Sequence, residues 1–233
     1  MELSIHPDSE RLAQAAASAI AEALAAAEGE RSSLGLAGGS TPRATYAALR
    51  LQPVDWTRVD LWLTDERWVP WDSEDSNGRM AHESLAGPAS ARLLRPRWSQ
   101  YLEPDESAAF YEADLRHVHG ARTPDIVLLG LGTDGHTASL FPGTEALTAP
   151  EEGRWYVGNH VPQLDTWRLT VTPAFLRATP RVMVLVSGAA KAEVLAEALE
   201  GPPGRHPIQL LAEAEGSVTF FVDEAAAARL ASR

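Results

Sequence analysis

The segment IVLLGLGTDGHTASLFPG, residues 126–143, decides the fold, because an apolar strand runs directly into glycines, an aspartate and a histidine. Ile126 to Leu129 is a bare apolar run of the kind that is buried on both faces of a parallel sheet. The glycines after it allow a sharp turn at the carboxyl end of the strand, where open α/β sheets place their sites. We therefore expect His136 to enter a crevice beside Asp134, which would orient the ring as a general base.

Outside this segment, helix and strand signals alternate along the chain, which is typical of βαβ units. The 233 residues contain no repeat and no linker, and they suffice for one large domain over 1–233. We predict a Rossmann-like α/β fold, whose mostly parallel β-sheet is flanked by helices on both faces. The main predicted helices begin near Asp8, Pro42, Pro104 and Ala189 and in the alanine-rich C-terminal segment. The predicted strands cover 33–37, 59–63, 126–129, 155–157, 167–171, 182–186 and 218–222.

The glycines of the first segment also satisfy the GxGxxG spacing of dinucleotide-binding folds. Such a site requires a long helix after the glycines, whose N-terminus holds the pyrophosphate. Pro142 and Gly143 end this segment within two turns, so the sequence disfavours a dinucleotide cofactor. For His136, the alternative to catalysis is a role as the cap of an ordinary turn.

The composition restricts the compartment and the partners. The chain has no cysteine and a formal net charge of −12, which opposes binding to nucleic acids and to anionic membranes. Its first ten residues lack the pattern of a signal peptide, and polar residues interrupt the alanine-rich run that follows. We expect a cytoplasmic protein. No carboxylate and histidine cluster has the spacing of metal ligands, so no metal site is predicted.

A negatively charged chain must concentrate donor groups locally to hold a phosphorylated ligand. In LGLAGGSTPRATYAAL a strand ends at Gly38 and Gly39. Ser40 or Thr41 is the expected N-cap of the next helix, with Pro42 at its first position. The free amides at this helix end form a phosphate cradle, although an ordinary strand-to-helix turn is the alternative. The absence of GK[ST] disfavours ATP chemistry.

A second apolar strand, in LWLTDERWVP, ends in charged residues. Asp65 is expected to contact sugar hydroxyls, and Arg67 to contact phosphate or a developing oxyanion, two roles that stay open. A solvated loop is the alternative for both residues. The following polar run, DSEDSNGRM, is expected to fold over the site, with Ser76 and Asn77 as turn and cap residues.

Two further cations stand in unusual places. Arg168 lies within the strand segment TWRLTVTP, where it either occupies an exposed edge or grips a phosphate. Lys191 is the chain's only lysine beside 19 arginines, and it lies just inside a helix after a turn. This usage indicates that its compact ammonium group is required there, as a second arm of a phosphate site, unless it survives by chance on a solvated face.

The ordered set LAGGSTP, TDERWVP with DSN, GLGTDGHTASLFPG, RLTVTP and SGAAK resembles the motifs of the 6-phosphogluconolactonases, which share a superfamily with glucosamine-6-phosphate deaminases and isomerases. The resemblance implies a Rossmann-like sheet, no cofactor, and hydrolysis of 6-phospho-D-glucono-1,5-lactone in the oxidative pentose phosphate pathway. Our mechanistic hypothesis is that His136 activates water, that Asp134 orients its ring, and that Asp65 binds substrate hydroxyls. The predicted phosphate-binding residues are Gly38, Gly39, Ser40, Thr41, Arg67, Arg168 and Lys191.

The deaminase branch differs inside the histidine motif. Deaminases carry DGHxGFNEP, with a glutamate five residues after the histidine, and here that position is Phe141. A deaminase or isomerase is therefore the disfavoured alternative, and a sugar-phosphate sensor bound to DNA is disfavoured by the acidic composition. The expected partner is a small sugar-phosphate lactone, with the chain as a monomer or weak homo-oligomer.

Overall fold

The structure, a computed structural model, describes residues 1–120, 123–148 and 153–231. Within these ranges ten strands divide into two sheets. In chain order they are β1 (Glu2–His6), β2 (Ser32–Leu36), β3 (Val59–Leu63), β4 (Asp65–Arg67), β5 (Arg92–Leu93), β6 (Ile126–Gly130), β7 (Tyr156–Val161), β8 (Thr166–Val171), β9 (Arg181–Val186) and β10 (Ser217–Asp223).

The helices lie between the strands, as the alternating pattern predicted. They are α1 (Ser9–Ala25), α2 (Ser40–Leu49), α3 (Asn77–Ala81), α4 (Gly87–Ala89), α5 (Pro104–His119), α6 (Pro173–Ala178) and α7 (Ala192–Glu200). Asp8 caps α1 by accepting a hydrogen bond from the amide of Arg11, at 2.8 Å. No described helix is both long enough and apolar enough to cross a membrane.

The larger sheet has seven strands within the described residues, in the order β1-β10-β9-β6-β2-β3-β5, and every pairing in it is parallel. Strand β6 is central and divides its side chains between two cores. Ile126 and Leu128 pack into the core that contains α1 and α2. Val127 and Leu129 pack into the core that contains α5, α6 and α7. The predicted α/β fold with helices on both faces is therefore confirmed.

A smaller antiparallel sheet, β4-β8-β7, was not predicted. Strands β7 and β8 were predicted as strands, but their sequence pattern does not show that they pair as a hairpin. The hairpin turns at Asp165, whose φ is +46°. Thr64 joins the two sheets, because its amide donates to Leu36 of the large sheet while its carbonyl accepts from Val171 of the small one. The predicted strand residue Arg168 therefore stands beside the main sheet, in register with Arg67.

Other elements also depart from the sequence expectations. Strand β1 was missed because its five residues mix polar and apolar types, and its pairing with β10 holds it in place. The predicted helix at Ala189 opens with a 3₁₀ turn, and α-helix begins only at Ala192. The described part of the predicted C-terminal helix is a single 3₁₀ turn, Ala226–Arg229. Alanine content favours a helix, but a segment this short takes its conformation from packing.

Leu128→Ala tests the central position of β6, because Leu128 is fully buried. We expect a loss of about 2–5 kcal/mol in the free energy of unfolding, from lost transfer free energy and the cavity left behind. Urea denaturation measures this change. Leu51→Ala is the control, since Leu51 is 79% exposed and its truncation should change stability by less than about 0.5 kcal/mol. Equal effects of the two substitutions would contradict the assignment of β6 to the core.

Candidate active site

A cleft of about 230 Å³ opens at the carboxyl ends of β2 and β6, beside the point where β3 passes into β4. It contains six of the residues that the sequence predicted for the site, contributed by four separate segments. The lining residues are Ala37, Gly38, Gly39, Asp65, Arg67, Asn77, Gly130, Leu131, Gly132, His136, Ala138 and Lys191. Polar groups that are distant in sequence thus meet at one edge of the sheet, as expected of an open α/β fold.

His136 and Asp134 form a close pair at this edge. Nδ1 of His136 lies 2.5 Å from Oδ1 of Asp134, and the His136 main-chain amide donates to the same oxygen at 3.2 Å. A carboxylate at Nδ1 fixes the proton there, so the neutral ring has its acceptor at Nε2. Partial burial raises the pKa of Asp134, but the hydrogen bonds and charge of His136 outweigh this effect and lower it.

The backbone around this pair is held tightly. A Cβ at Gly132 would collide with Nδ1 of His136 and would lie 2.5 Å from Oδ1 of Asp134, so only glycine fits there. The Gly132 amide donates to the His136 carbonyl at 2.8 Å. On the other side, the ring of Phe141 stacks on His136 with centroids 4.1 Å apart. These contacts leave the imidazole little freedom to rotate.

Asp65 is 7% exposed and is held by two residues to which the sequence assigned no contact with it. Ser139 donates its hydroxyl to Oδ2 of Asp65 at 2.7 Å. The side-chain amide of Asn77 donates to Oδ1 of Asp65 at 3.2 Å and to the Asp65 main-chain carbonyl at 3.0 Å. Thr170, opposite Asp65 across the small sheet, accepts from the Ser139 amide and fixes Ser139 in turn. The motifs contained both Asn77 and Ser139, but spacing did not indicate these contacts.

Glu66 anchors the polar run and was also missed. Its carboxylate accepts hydrogen bonds from the main-chain amides of Asn77, at 2.7 Å, and Gly78, at 2.8 Å. It also accepts from the Ser76 hydroxyl at 3.0 Å and from the main-chain amide of Arg67 at 2.7 Å. Burial raises the pKa of Glu66, and these four hydrogen bonds oppose the rise. Ser76 caps α3 as predicted. Hydrogen bonds to this buried carboxylate therefore hold the polar run beside the cleft.

The predicted cap of α2 is wrong in detail. The helix begins at Ser40, its N-cap is Gly39 with a φ of +109°, and no side chain caps it. Pro42 is the third helical residue. Because first-turn amides have no intrahelical partner, those of Ser40 and Thr41 stay available to an anion. Ser40 lines a second cavity, of about 450 Å³, that shares Gly39, Arg67 and Asn77 with the cleft, whereas Thr41 lines neither.

Three cations surround this region. Burial lowers the pKa of Lys191, and the nearby charge of Asp134 opposes this. Arg67 donates to the Asp75 carbonyl at 2.6 Å. Burial, and then the charge of Arg67, lower the pKa of Arg168, which does not line the cleft. Within the part of the chain that the structure describes, the side chains of Lys191 and Arg168 form no hydrogen bond or ion pair. Of these two residues, Lys191 lines the cleft and Arg168 does not.

Known proteins resemble this chain over most of its length. Residues 7–220 match the model of a family described as glucosamine-6-phosphate isomerases/6-phosphogluconolactonase. A 6-phosphogluconolactonase of Synechocystis sp. is 35% identical over 215 residues, which cover 88% of each chain.

Solved structures share the fold across nearly the whole chain. The structure of a 6-phosphogluconolactonase from Trypanosoma brucei is 30% identical, with a TM-score of 0.85, and covers 99% of this chain and 98% of its own. A monomeric glucosamine-6-phosphate deaminase is 24% identical, with a TM-score of 0.81, and covers 98% of this chain and all of its own. The latter likeness concerns the fold alone, so the fold does not separate the two activities.

Gly38→Ala tests how the Asn77 side chain packs against the end of β2. A Cβ at Gly38 would overlap the side-chain amide of Asn77. We expect Asn77 to move away from Asp65 and stability to fall by about 1–3 kcal/mol, as in other overpacked sites. Urea denaturation and the amide chemical shifts of Asn77 and Gly78 measure both effects. Gly130→Ala is the matched control, because a Cβ there meets nothing within 4 Å. Unchanged shifts in Gly38→Ala would contradict this packing.

Proposed function

The chain belongs to the family of glucosamine-6-phosphate isomerases and 6-phosphogluconolactonases, and from this premise we propose that it hydrolyses 6-phospho-D-glucono-1,5-lactone to 6-phospho-D-gluconate. Its relatives named 6-phosphogluconolactonase show that it is a lactone-hydrolysing enzyme. The proposed reaction is the second step of the oxidative pentose phosphate pathway, and the proposed compartment is the cytoplasm. The observation that carries the proposal is the Asp134–His136 pair, which opens onto a cleft that also contains Lys191.

His136 is the proposed general base. With the Nδ1 proton engaged by Asp134, Nε2 takes a proton from water while the water oxygen attacks the C1 carbonyl of the lactone. The tetrahedral intermediate then collapses, the bond from C1 to the ring oxygen breaks, and the imidazolium returns its proton to that oxygen. Asp134 keeps the ring in the required tautomer and stabilises its charged form. The chain has no cysteine and no GxSxG nucleophile elbow, so no acyl-enzyme is proposed.

The other polar groups of the cleft fit the sugar phosphate. Asp65, fixed by Asn77 and Ser139, is placed to accept hydrogen bonds from substrate hydroxyls. The amides at the start of α2 and the ammonium group of Lys191 are proposed to hold the 6-phosphate. Arg67 lies between the two cavities and is assigned to the phosphate or to the developing oxyanion. Arg168, which lies opposite Arg67 in the small sheet, adds positive potential behind it.

Phe141 argues against the deaminase alternative. The sequence places it where deaminases of the superfamily carry an acidic residue, and its ring stacks on His136 instead. A phenyl ring supplies no proton for opening a sugar ring. Lactone hydrolysis needs no such group, because one base is sufficient to activate water and to protonate the leaving oxygen.

His136→Ala tests the proposed base. We expect kcat to fall about 10²- to 10⁴-fold, the usual contribution of a general base, with KM changed only a few-fold. Acid release from freshly prepared lactone, recorded within the first minute and corrected for spontaneous hydrolysis, measures both constants. His117→Ala, at an exposed position of α5, is the control. Full activity in His136→Ala would exclude this base, and ammonia release from glucosamine 6-phosphate by the wild type would favour the deaminase.

Lys191 predicts a pH dependence of binding. Because burial lowers its pKa below the ordinary value of 10.5, the ammonium loses its proton as pH rises through that lowered pKa. We expect affinity for 6-phosphogluconate to be full below this range and to fall roughly tenfold or more above it. Calorimetric titration between about pH 7 and pH 10 measures the change. In Lys191→Arg the guanidinium stays charged, so the alkaline loss should disappear. An identical alkaline loss in both proteins would contradict the role of Lys191.

A further inference from the structure

A buried side-chain amide of the small sheet holds the segment 139–146, which follows the loop of the proposed base. Asn159 lies on β7 and is 1% exposed. Its Nδ2 donates to the main-chain carbonyl of Ser139 at 2.8 Å and to Oγ1 of Thr144 at 3.0 Å. Its Oδ1 accepts from the main-chain amide of Ala146 at 3.4 Å. One side chain therefore holds the segment at three points from outside the cleft, which Asn159 does not line.

The partners of Asn159 fix the orientation of its amide. A main-chain carbonyl can only accept a hydrogen bond, and a main-chain amide can only donate one. Nδ2 therefore faces Ser139 and Oδ1 faces Ala146, with both Nδ2 hydrogens bonded. Aspartate has nearly the same shape, but it supplies one donor when neutral and none when ionised. It cannot make both Nδ2 contacts, so this position requires an amide.

The first contact of Asn159 leads to Asp65. The Ser139 hydroxyl donates to Oδ2 of Asp65 at 2.7 Å, and the Ser139 main-chain amide donates to Oγ1 of Thr170 at 3.1 Å. Ser139 is thus held on both sides, by Thr170 at its amide and by Asn159 at its carbonyl. The preceding residue, Ala138, has a φ of +47°. An alanine keeps this uncommon conformation only where its surroundings impose it, and the hydrogen bonds to Ser139 supply that restraint.

The second contact of Asn159 leads to His136. Thr144, which accepts from Nδ2 of Asn159, donates its own hydroxyl to the main-chain carbonyl of Phe141 at 2.8 Å. The Phe141 ring stacks on the ring of His136, with centroids 4.1 Å apart. The same amide therefore supports both functional groups, Asp65 through one residue and His136 through two.

We propose that Asn159 is a positioning residue of the hydrolytic site. It aligns Asp65 through Ser139 and, through Thr144, the aromatic ring that stacks on His136. This inference rests on the proposed function. Every group that is proposed to bind substrate or to move a proton remains when the Asn159 amide is lost. Only the alignment of these groups changes, and a displacement of about 1 Å is enough to slow a reaction about a hundredfold.

Asn159→Asp removes at least one of the two Nδ2 contacts. We expect kcat/KM for the lactone to fall about tenfold or more, because a buried carbonyl or hydroxyl that loses its donor displaces the segment that carries it. Acid release from fresh lactone, corrected for spontaneous hydrolysis, measures kcat and KM at a temperature where circular dichroism shows the variant to be folded. Wild-type values of both constants in folded Asn159→Asp would overturn the proposal.

Two smaller changes test the two branches separately and do not depend on the folding of Asn159→Asp. Ser139→Ala removes the hydroxyl that contacts Asp65. We expect KM to rise about three- to tenfold, because Asp65 is proposed to bind substrate hydroxyls. Thr144→Val removes the hydroxyl between Asn159 and Phe141 and keeps the shape of the side chain. Here we expect kcat to fall about three- to tenfold with KM nearly unchanged.

Ser107→Ala and Thr179→Val are the matched controls. Both residues are fully buried, and each donates its hydroxyl to a main-chain carbonyl, at 2.6 Å and 2.9 Å, without lining the cleft. These controls should leave kcat and KM unchanged. Equal losses of activity in the controls, or unchanged constants in both Ser139→Ala and Thr144→Val, would overturn the proposal.

Double-mutant cycles separate positioning from a general loss of order. In the Ser139→Ala background, Asn159→Asp should no longer raise KM, because the contact that leads to Asp65 is already absent. In the Thr144→Val background, it should no longer lower kcat. Equal effects of Asn159→Asp in all backgrounds would show that it acts through neither residue and would overturn the proposal. A wild type without lactonase activity would refute the proposed function, whereas an active wild type with any of these contrary outcomes would refute the positioning role alone.

Discussion

Burial of β6 on both faces is the constraint on which the rest of the structure depends. Ile126 and Leu128 enter one core and Val127 and Leu129 the other, and all four are fully buried. A strand enclosed in this way has no position for a charged side chain along its length, because an unpaired buried charge is too costly. Polar residues are therefore displaced to its carboxyl end. There the chain reaches Gly130 and turns into the loop that carries Asp134 and His136.

Neighbouring strands obey the same constraint and deliver their polar ends to the same edge. Strand β2 ends before Gly38 and Gly39, and β3 ends before Thr64 and Asp65. The parallel register brings these ends together, which explains why residues about 30 and 70 positions apart line one cleft. The overall charge of this acidic chain repels a phosphate. The ammonium group of Lys191, the guanidinium of Arg67 and the N-terminus of α2 nevertheless lie together at this edge. In the proposed function these local donors hold the phosphate despite the net charge, because they act at contact distance, where screening is weak.

This logic explains which parts of the fold and site could be predicted from the sequence. Strands with a bare apolar run, such as β6, and helices with a cap, such as α1, follow from short-range patterns. The small antiparallel sheet does not, because β4 pairs with β8 across about a hundred residues of sequence. Glu66 and Ser139 were missed for the same reason: their partners lie about ten and more than seventy residues away. The periodicity of apolar residues does not indicate which distant segments form hydrogen bonds with each other.

Phe141 shows how a shared fold supports different chemistry. A deaminase with a TM-score of 0.81 covers 98% of this chain, so the sheet and its cleft cannot select the reaction. In our proposal, the residues that contact the His136 imidazole select the reaction. In this chain an aromatic ring lies 4.1 Å from the ring of His136, on the side where a carboxylate would add a second titratable group. Asp134 is the only acid bonded to His136 within the described residues. This fits the role proposed for His136, because lactone hydrolysis requires only one base.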